Sequence, residues 1–262
     1  MAGKTAIVGK GCVACGECAR LCPSGAVRVA DGLSARVEES LCLGCGLCAK
    51  NCPTGAARLE KREGHDLPPV RRTRVIRRRL TEYLWIGEFF FVISGFCNII
   101  FAWLGLIFLF APLGIALFGG GKAYCNRWCG RGQLFALLGK AGFSRRSLPP
   151  AFLRSPYFRY GFLVFFLTMF GVMLHGTAQV FSGAPPDAAV TFLWTFRLPW
   201  DWADVSAFPP GAVQFAFGFY GIMITSEFLG LAVMAAFRPR SWCAFCPMGT
   251  MTRDISRLTM RR

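Results

Sequence analysis

Hydrophobic and polar positions divide the chain of 262 residues into two unlike parts. The first 66 residues are polar, rich in Gly and Cys, and contain no long apolar run. Apolar stretches follow at residues 83–118, 160–181 and 212–237, and each of the last two has the length of one membrane crossing. The pattern predicts a small N-terminal domain over residues 1–66 and an α-helical membrane domain over residues 83–262.

The first apolar stretch is too long for a single straight crossing. It contains 36 residues and one charge, Glu88, so a continuous helix would be about 54 Å long against a hydrocarbon core of about 30 Å. We therefore predict a tight hairpin, with Gly95, Asn98 and Gly105 as candidate turn residues. The whole chain then has about four transmembrane helices.

Charge assigns a side of the membrane to each segment. The net charge of +16 is concentrated beside the apolar spans, in the linker at 67–82 and in residues 119–159 and 238–262. The loop at 181–211 instead carries Asp187, Asp201 and Asp204 against Arg197, and its Trp194, Trp200 and Trp202 are expected at the membrane interface. The positive-inside rule predicts a multi-pass protein of the cytoplasmic membrane, with both termini cytoplasmic, lipid as a partner and no nucleic acid.

A cysteine motif occurs twice near the N-terminus. Cys12, Cys15, Cys18 and Cys22 are followed by Cys42, Cys45, Cys48 and Cys52, each run with the spacing C-x2-C-x2-C-x3-C-P. In this spacing the fourth cysteine binds the other cluster, so one [4Fe-4S] cluster is predicted on Cys12, Cys15, Cys18 and Cys52, and a second on Cys42, Cys45, Cys48 and Cys22. Structural zinc is the alternative, but it does not predict a crossed double repeat.

Residues 1–66 therefore resemble a bacterial-type two-cluster ferredoxin, which implies an α+β fold. Between the two copies of the repeat, residues 29–39 alternate like a β-hairpin with a turn at Asp31-Gly32. The segment from Met1 to Lys10 lacks the apolar core of a signal peptide, so we expect the region to stay in the reducing cytoplasm.

Two further cysteine pairs follow apolar spans. They are Cys125 with Cys129, and Cys243 with Cys246, and the predicted topology brings both pairs to the cytoplasmic face. Four thiolates at one surface are suited to a third [4Fe-4S] cluster, to a Zn or Cu(I) ion, or to a pair of redox-active dithiols. Cysteines used as small apolar residues are the remaining alternative.

These aromatic-flanked pairs resemble the membrane iron-sulfur family that includes the quinol dehydrogenase subunit of periplasmic nitrate reductase and the nitrous oxide reductase accessory protein. That family uses C-x3-C-P twice, whereas here Gly130 replaces the first Pro and the second pair is shortened to C-x2-C-P before Pro247. The ferredoxin part also comes first in this chain. The resemblance implies a membrane subunit that passes electrons to or from a quinone.

Ionisable residues inside membrane spans are costly, so Glu227, His175 and Glu88 are candidate quinone or proton sites. Glu88 lies near the boundary, where its side chain could instead extend to the membrane surface, and His175 could instead hydrogen-bond another helix. The other histidine, His65, lies outside the spans, so this chain alone is not expected to provide two histidines for haem.

Together these features predict an electron-transfer subunit that relays electrons between ferredoxin clusters and a quinone pool or a partner subunit of a membrane redox complex. Two alternatives remain at the level of sequence. One is a copper-handling or metalloenzyme assembly factor that uses the membrane-face cysteines, and the other is a structural membrane anchor for a ferredoxin.

Overall fold

The computed structural model describes residues 3–30, 32–61, 83–199 and 207–259. The predicted basic linker at 67–82 lies outside these residues, as do His65, Asp31 at the predicted turn, and Trp200, Asp201, Trp202 and Asp204 in the loop expected outside. The predicted apolar stretches lie almost wholly within the described part.

The N-terminal region is built from two copies of a strand, cysteine loop, helix and strand. The first copy contains β1 (Lys4–Val8), α1 (Glu17–Leu21) and β2 (Val27–Ala30), and the second contains β3 (Ser34–Val37), α2 (Leu47–Asn51) and β4 (Ala57–Lys61). Outer strand β1 pairs antiparallel with β4, and β2 pairs antiparallel with β3. The copies thus close on each other through their first and last strands, and the duplicated sequence gives a duplicated fold.

Glycine opens each of the two short helices at the same place in the repeat. Gly16 precedes α1 with a φ of 78°, and Gly46 precedes α2 with a φ of 76°. A residue with a side chain rarely adopts this left-handed conformation. The glycine in each C-x2-C-G-x-C run therefore lets the cysteine loop turn directly into its helix.

The second part is helical. Its α-helices, in chain order, are α3 (Trp85–Cys97), α4 (Gly105–Ile115), α5 (Gly130–Lys140), α6 (Ala151–Arg154), α7 (Pro156–Phe181), α8 (Pro210–Ala236) and α9 (Pro247–Thr259). A 3-10 turn at Ile99–Leu104 leads into α4, and π-helical turns at Ala116–Gly120 and Tyr124–Trp128 follow it. Helix α8 packs along α7 and is the most enclosed of the long helices.

The first apolar stretch reverses direction at Asn98, whose extended backbone ends α3. In the first limb, α3, the Val92 carbonyl accepts a hydrogen bond from the Tyr220 hydroxyl in the middle of α8 (2.6 Å). At the far end, the Trp103 indole donates to the Ala212 carbonyl near the start of α8 (3.3 Å). In the second limb, α4, the Phe108 ring packs edge-on against Phe91 of α3, with 5.8 Å between ring centroids. The two limbs therefore lie side by side along α8.

The structure does not confirm the predicted count of four spans. Among the described residues, three helices are long and apolar enough to cross a membrane: Ile99–Gly120, Pro156–Phe181 and Pro210–Ala236. Helix α3 is apolar but has only 13 residues, about 20 Å, which is less than the thickness of the hydrocarbon core. The outgoing limb of the hairpin is therefore too short to count as a fourth spanning helix by its length.

The loop between α7 and α8 folds back along α8 as a two-stranded hairpin of β5 (Ala189–Phe192) and β6 (Phe196–Pro199). At its tip, the Leu193 amide donates to the Thr225 hydroxyl of α8 at 3.0 Å. Next to it, the Trp194 ring lies edge-on to Phe165 of α7, 4.5 Å between centroids. Trp194 thus packs against α7.

Candidate cofactor sites

The eight N-terminal cysteines come together in two crossed sets. Burial raises the pKa of Cys18, and the thiols beside it that add to the shift are Cys15, Cys12 and Cys52. Burial likewise raises the pKa of Cys48, whose thiol neighbours are Cys42, Cys45 and Cys22. In each set the fourth thiol comes from the other copy of the repeat, as the C-x3-C-P spacing predicts.

Backbone amides point at several of these sulfurs. The Sγ of Cys12 accepts from the amides of Ala14 and Ala35, both at 3.4 Å. The Sγ of Cys42 accepts from Ala6 at 3.4 Å, and the Sγ of Cys52 from Ala57 at 3.5 Å. Amide donors stabilise negative charge on thiolate sulfur, so the loops suit iron-sulfur ligation.

The remaining two cysteine pairs line a single cavity of about 110 Å³. Cys125 lies in the turn after the first span, and Cys129 is the N-cap of α5. Cys243 lies in a 3-10 turn after α8, and Cys246 directly precedes α9. The packing of the helices thus brings two pairs together that lie far apart in sequence.

The four thiols of this cavity are hereafter called the membrane-face quartet, and three of them have raised pKa values. Burial, and then the neighbouring Cys125, raise the pKa of Cys129 to about 12. Burial also raises the pKa values of Cys243 and Cys246. These thiols hold their protons at neutral pH, and a thiophilic metal centre must displace them on binding.

The spacing of the thiols bears on what the quartet can hold. Within the described part of the chain, no three His, Cys, Asp or Glu side chains form a group suited to a single metal ion. The same is true of the eight ferredoxin cysteines, whose motif is that of cubane clusters. This absence is common to both sets of thiols and does not distinguish one from the other.

Gly130 stands where the C-x3-C-P pattern has proline, and it lies against the start of another helix. A Cβ atom at this position would lie 2.7 Å from the carbonyl oxygen of Leu84, just before α3. Neither proline nor alanine fits without movement of the backbone. The departure from the C-x3-C-P pattern thus follows from the close approach of α3 to the start of α5.

Beside the quartet, one arginine lies between two buried carboxylates. The Arg131 guanidinium donates to Glu88 at 3.0 and 3.2 Å and forms an ion pair with Glu227. Its third contact is the Ser226 hydroxyl at 2.9 Å. The carboxylate side chains of Glu88 and Glu227 are only 4% and 8% exposed. Glu88, Arg131 and Ser226 also line the quartet cavity, so one predicted proton-site residue, Glu88, adjoins the third candidate centre, and Glu227 is linked to it through Arg131.

His175 is not part of this arrangement. It lies on the exposed side of α7, in the part of the helix nearer the loop that joins α7 to α8. The structure therefore brings Glu88 and Glu227 together and leaves His175 apart from them.

The sequence reasoning missed the buried cations at this end of the helices. Lys122, Arg131 and Arg240 lie in segments interpreted only as orientation signals, yet Lys122 and Arg240 are 3% and 2% exposed. A signal was present, because each lies within three residues of a membrane-face cysteine. A cation this close in sequence to a pair of candidate ligands is expected to lie beside the site and to affect its electrostatics.

Comparison with known proteins agrees with this division. A family model described as a 4Fe-4S dicluster domain matches residues 11–56, which contain all eight ferredoxin cysteines. A second, described as a 4Fe-4S binding domain, matches residues 101–150 and 220–262, which contain the quartet. No curated protein and no solved structure gave a significant match. These matches support iron-sulfur clusters in this protein. With the apolar helices, they are consistent with a membrane iron-sulfur subunit.

Proposed function

We propose that the protein is a membrane-bound electron-transfer subunit that relays electrons between ferredoxin-type [4Fe-4S] clusters and a quinone pool, within a larger membrane redox complex. One observation carries the proposal. The cavity lined by Cys125, Cys129, Cys243 and Cys246 is also lined by Val13 and Cys15 of the ferredoxin region. A ligand loop of one cluster therefore borders the quartet directly.

The donor sets fit three clusters. Cys12, Cys15, Cys18 and Cys52 would hold the first, Cys42, Cys45, Cys48 and Cys22 the second, and the membrane-face quartet the third. When bound, such clusters supply one-electron transfer at potentials set by hydrogen bonds, charge and burial. The chain holds the thiols at fixed positions and provides the amide donors to sulfur.

Quinone chemistry also requires a path for protons, and the Glu88, Arg131 and Glu227 group is our candidate for it. Two carboxylates share one guanidinium, so the group can take up a proton at Glu227 without leaving Arg131 unpaired. Because the group adjoins the quartet, proton uptake there would lie next to electron transfer. We propose an orientation with this end of the helices, the ferredoxin region and both termini in the cytoplasm, in keeping with the basic segments at 119–159 and 238–262.

The test compares iron content and quinol oxidation in the full-length protein in lipid nanodiscs. Wild type should carry about twelve irons, and the double variant Cys125→Ser/Cys243→Ser about eight, because only the third cluster is lost. Reduction of the remaining clusters by a quinol should slow in that variant. The matched control is Cys97→Ser, an exposed cysteine at the end of α3, which should keep the wild-type values.

Two results would contradict the proposal. Wild-type iron near eight, with unchanged quinol oxidation in the double variant, would remove the quartet from the electron path. Stoichiometric Cu(I) binding that is lost in the same variant would favour a copper-handling role instead.

A further inference from the structure

A buried arginine connects the ferredoxin region to the quartet. The Arg240 side chain is 2% exposed, and its Nη1 donates to the carbonyl oxygen of Cys15. Its Nε donates to the carbonyl of Gly132 at 3.0 Å and pairs with the Glu17 carboxylate at 3.1 Å. One guanidinium thus binds a ligand loop of the first cluster and the start of α5 together.

The same arginine is tied to the quartet on its other side. The amide of Gly132, whose carbonyl accepts from Arg240, donates to the Sγ of Cys129 at 3.4 Å. The Cys243 amide donates to the backbone carbonyl of Arg240 at 2.9 Å. The guanidinium is thus linked to Cys129 through Gly132, and the backbone of Arg240 is bonded directly to that of Cys243.

Other cations of the membrane part bind the same side of the ferredoxin region. Lys122, 3% exposed and lining the quartet cavity, donates its Nζ to the Val13 carbonyl at 2.7 Å. Arg238 donates to the carbonyls of Cys52 and Ala49. Val13, Cys15 and Cys52 all belong to the segments that carry ligands of the first cluster.

The second cluster has a different environment. The cavity among its cysteines is lined by residues between Ala6 and Leu59, all within the ferredoxin region. Cys45 is exposed, and Leu47 beside it is 40% exposed. The two ferredoxin clusters are therefore unequal, since one faces the membrane part and the other faces outward.

We propose that Arg240 is the positioning residue that holds the Cys12–Cys18 loop against the membrane-face quartet, so that the first cluster, and not the second, exchanges electrons with the quartet. This inference rests on the proposed function. In the exchange, one electron leaves one cluster and enters the other, and no bond is formed or broken. Reduction adds negative charge beside Arg240, and a buried cation stabilises that charge.

The experiment uses the full-length protein and three variants. Arg240→Gln removes the charge, Arg240→Lys keeps the charge but loses the planar set of donors, and Arg257→Gln, on the exposed side of α9, is the control. Amide hydrogen exchange follows the loop of residues 12–18, with residues 42–48 as an internal reference. A lost charge-assisted hydrogen bond of about 1.5 kcal/mol corresponds to roughly tenfold faster exchange.

We expect that increase in residues 12–18 for Arg240→Gln, a smaller one for Arg240→Lys, and none in residues 42–48 or in the control. In a potentiometric EPR titration, two of three cluster signals should shift to lower potential in Arg240→Gln, while the third stays unchanged. If Arg240→Gln fails to retain iron, Arg240→Lys is compared with wild type instead. It should show a smaller change of the same sign in both amide exchange and cluster potential.

The failures of the two proposals are distinguishable. Equal exchange in wild type and the Arg240 variants, or an equal shift of all cluster signals, would overturn the role of Arg240 whatever the iron content. A wild-type iron content near eight, with exchange in residues 12–18 still dependent on Arg240, would instead overturn the third cluster and leave Arg240 as the residue that docks the first.

Discussion

The ferredoxin region and the membrane-face quartet both gather thiols, but they do so by different means. In the ferredoxin region, ligands three and four residues apart lie on short loops that are closed by the pairing of β1 with β4. In the quartet, Cys125 and Cys243 meet only because the hairpin of the first apolar stretch, α5 and α8 pack together. The first site depends on local sequence, and the second depends on the packing of helices.

Their surroundings differ in the same way. Ferredoxin sulfurs such as Cys12 and Cys42 accept bonds from backbone amides, which a change of side chain leaves in place. The quartet is bordered by the buried charged groups Glu88 and Lys122 and by Arg131, whose side chain is 15% exposed. A substitution in the membrane part should therefore affect the quartet while the ferredoxin clusters remain, and this difference can be tested.

The largest effect is expected from Arg131→Met. Removing the guanidinium leaves Glu88 and Glu227 buried without their cation, and breaking a buried ion pair costs about 3–5 kcal/mol. Thermal unfolding in detergent should show this loss, with the quartet's iron released before that of the ferredoxin region. The triple variant Arg131→Met/Glu88→Gln/Glu227→Gln should regain much of the stability, because no buried charge is then unpaired. Simultaneous release of all iron from Arg131→Met would contradict the independence of the two sites.

How far the sequence could predict each site follows from this difference. The crossed ligand sets of Cys12 to Cys52 are encoded in spacing, so a motif predicts which thiols meet. No spacing relates Cys125 to Cys243, and only topology suggested that they share a face. The partners of Arg131 and Arg240 could not be predicted, because they come from α3, α5, α8 and the ferredoxin region and are fixed by tertiary packing. The fourth crossing was predicted from the length of the apolar run, and that length does not show where within it the chain turns.

A second prediction concerns the contact between the two regions. Gly32 has a φ of 63°, and a Cβ atom there would overlap the backbone of Lys122 and Gly121. Gly25 is the matched control, because its φ is 69° but a Cβ would meet nothing within 4 Å. Both alanine variants bear the cost of left-handed backbone, about 1–2 kcal/mol, and Gly32→Ala should lose about 1–3 kcal/mol more through overlap.

Amide exchange of residues 12–18 is the measurement for this pair. Gly32→Ala should raise exchange there, because the ferredoxin region must move away from Lys122, and Gly25→Ala should not. The cluster signals of the ferredoxin region should persist in both variants, since neither glycine is a cluster ligand. Equal exchange in the two variants would mean that the region is held without this close backbone contact.

The smallest effect is expected within the helices that assemble the quartet. A Cβ atom on Gly95 of α3 would overlap the Tyr220 ring of α8, whereas one on Gly87 of the same helix meets nothing within 4 Å. The ring has little freedom to yield, because its hydroxyl donates to the Val92 carbonyl at 2.6 Å. Small residues allow such close helix packing in membranes, so Gly95→Ala should cost about 1–2 kcal/mol through overpacking.

Gly87→Ala should instead leave thermal stability unchanged or raise it by up to about 1 kcal/mol, since alanine favours the helix and the site is open. Because Gly95 lies on the helix that carries Glu88, its alanine variant should also lower the retention of the quartet's iron on heating, while the ferredoxin clusters keep theirs. If Gly87→Ala and Gly95→Ala behave alike, the close approach of α3 to α8 does not support the quartet. The quartet would then be held by the turns that carry its cysteines and by the helices that follow them, α5 and α9. In that case the quartet, like the ferredoxin clusters, would depend mainly on local structure.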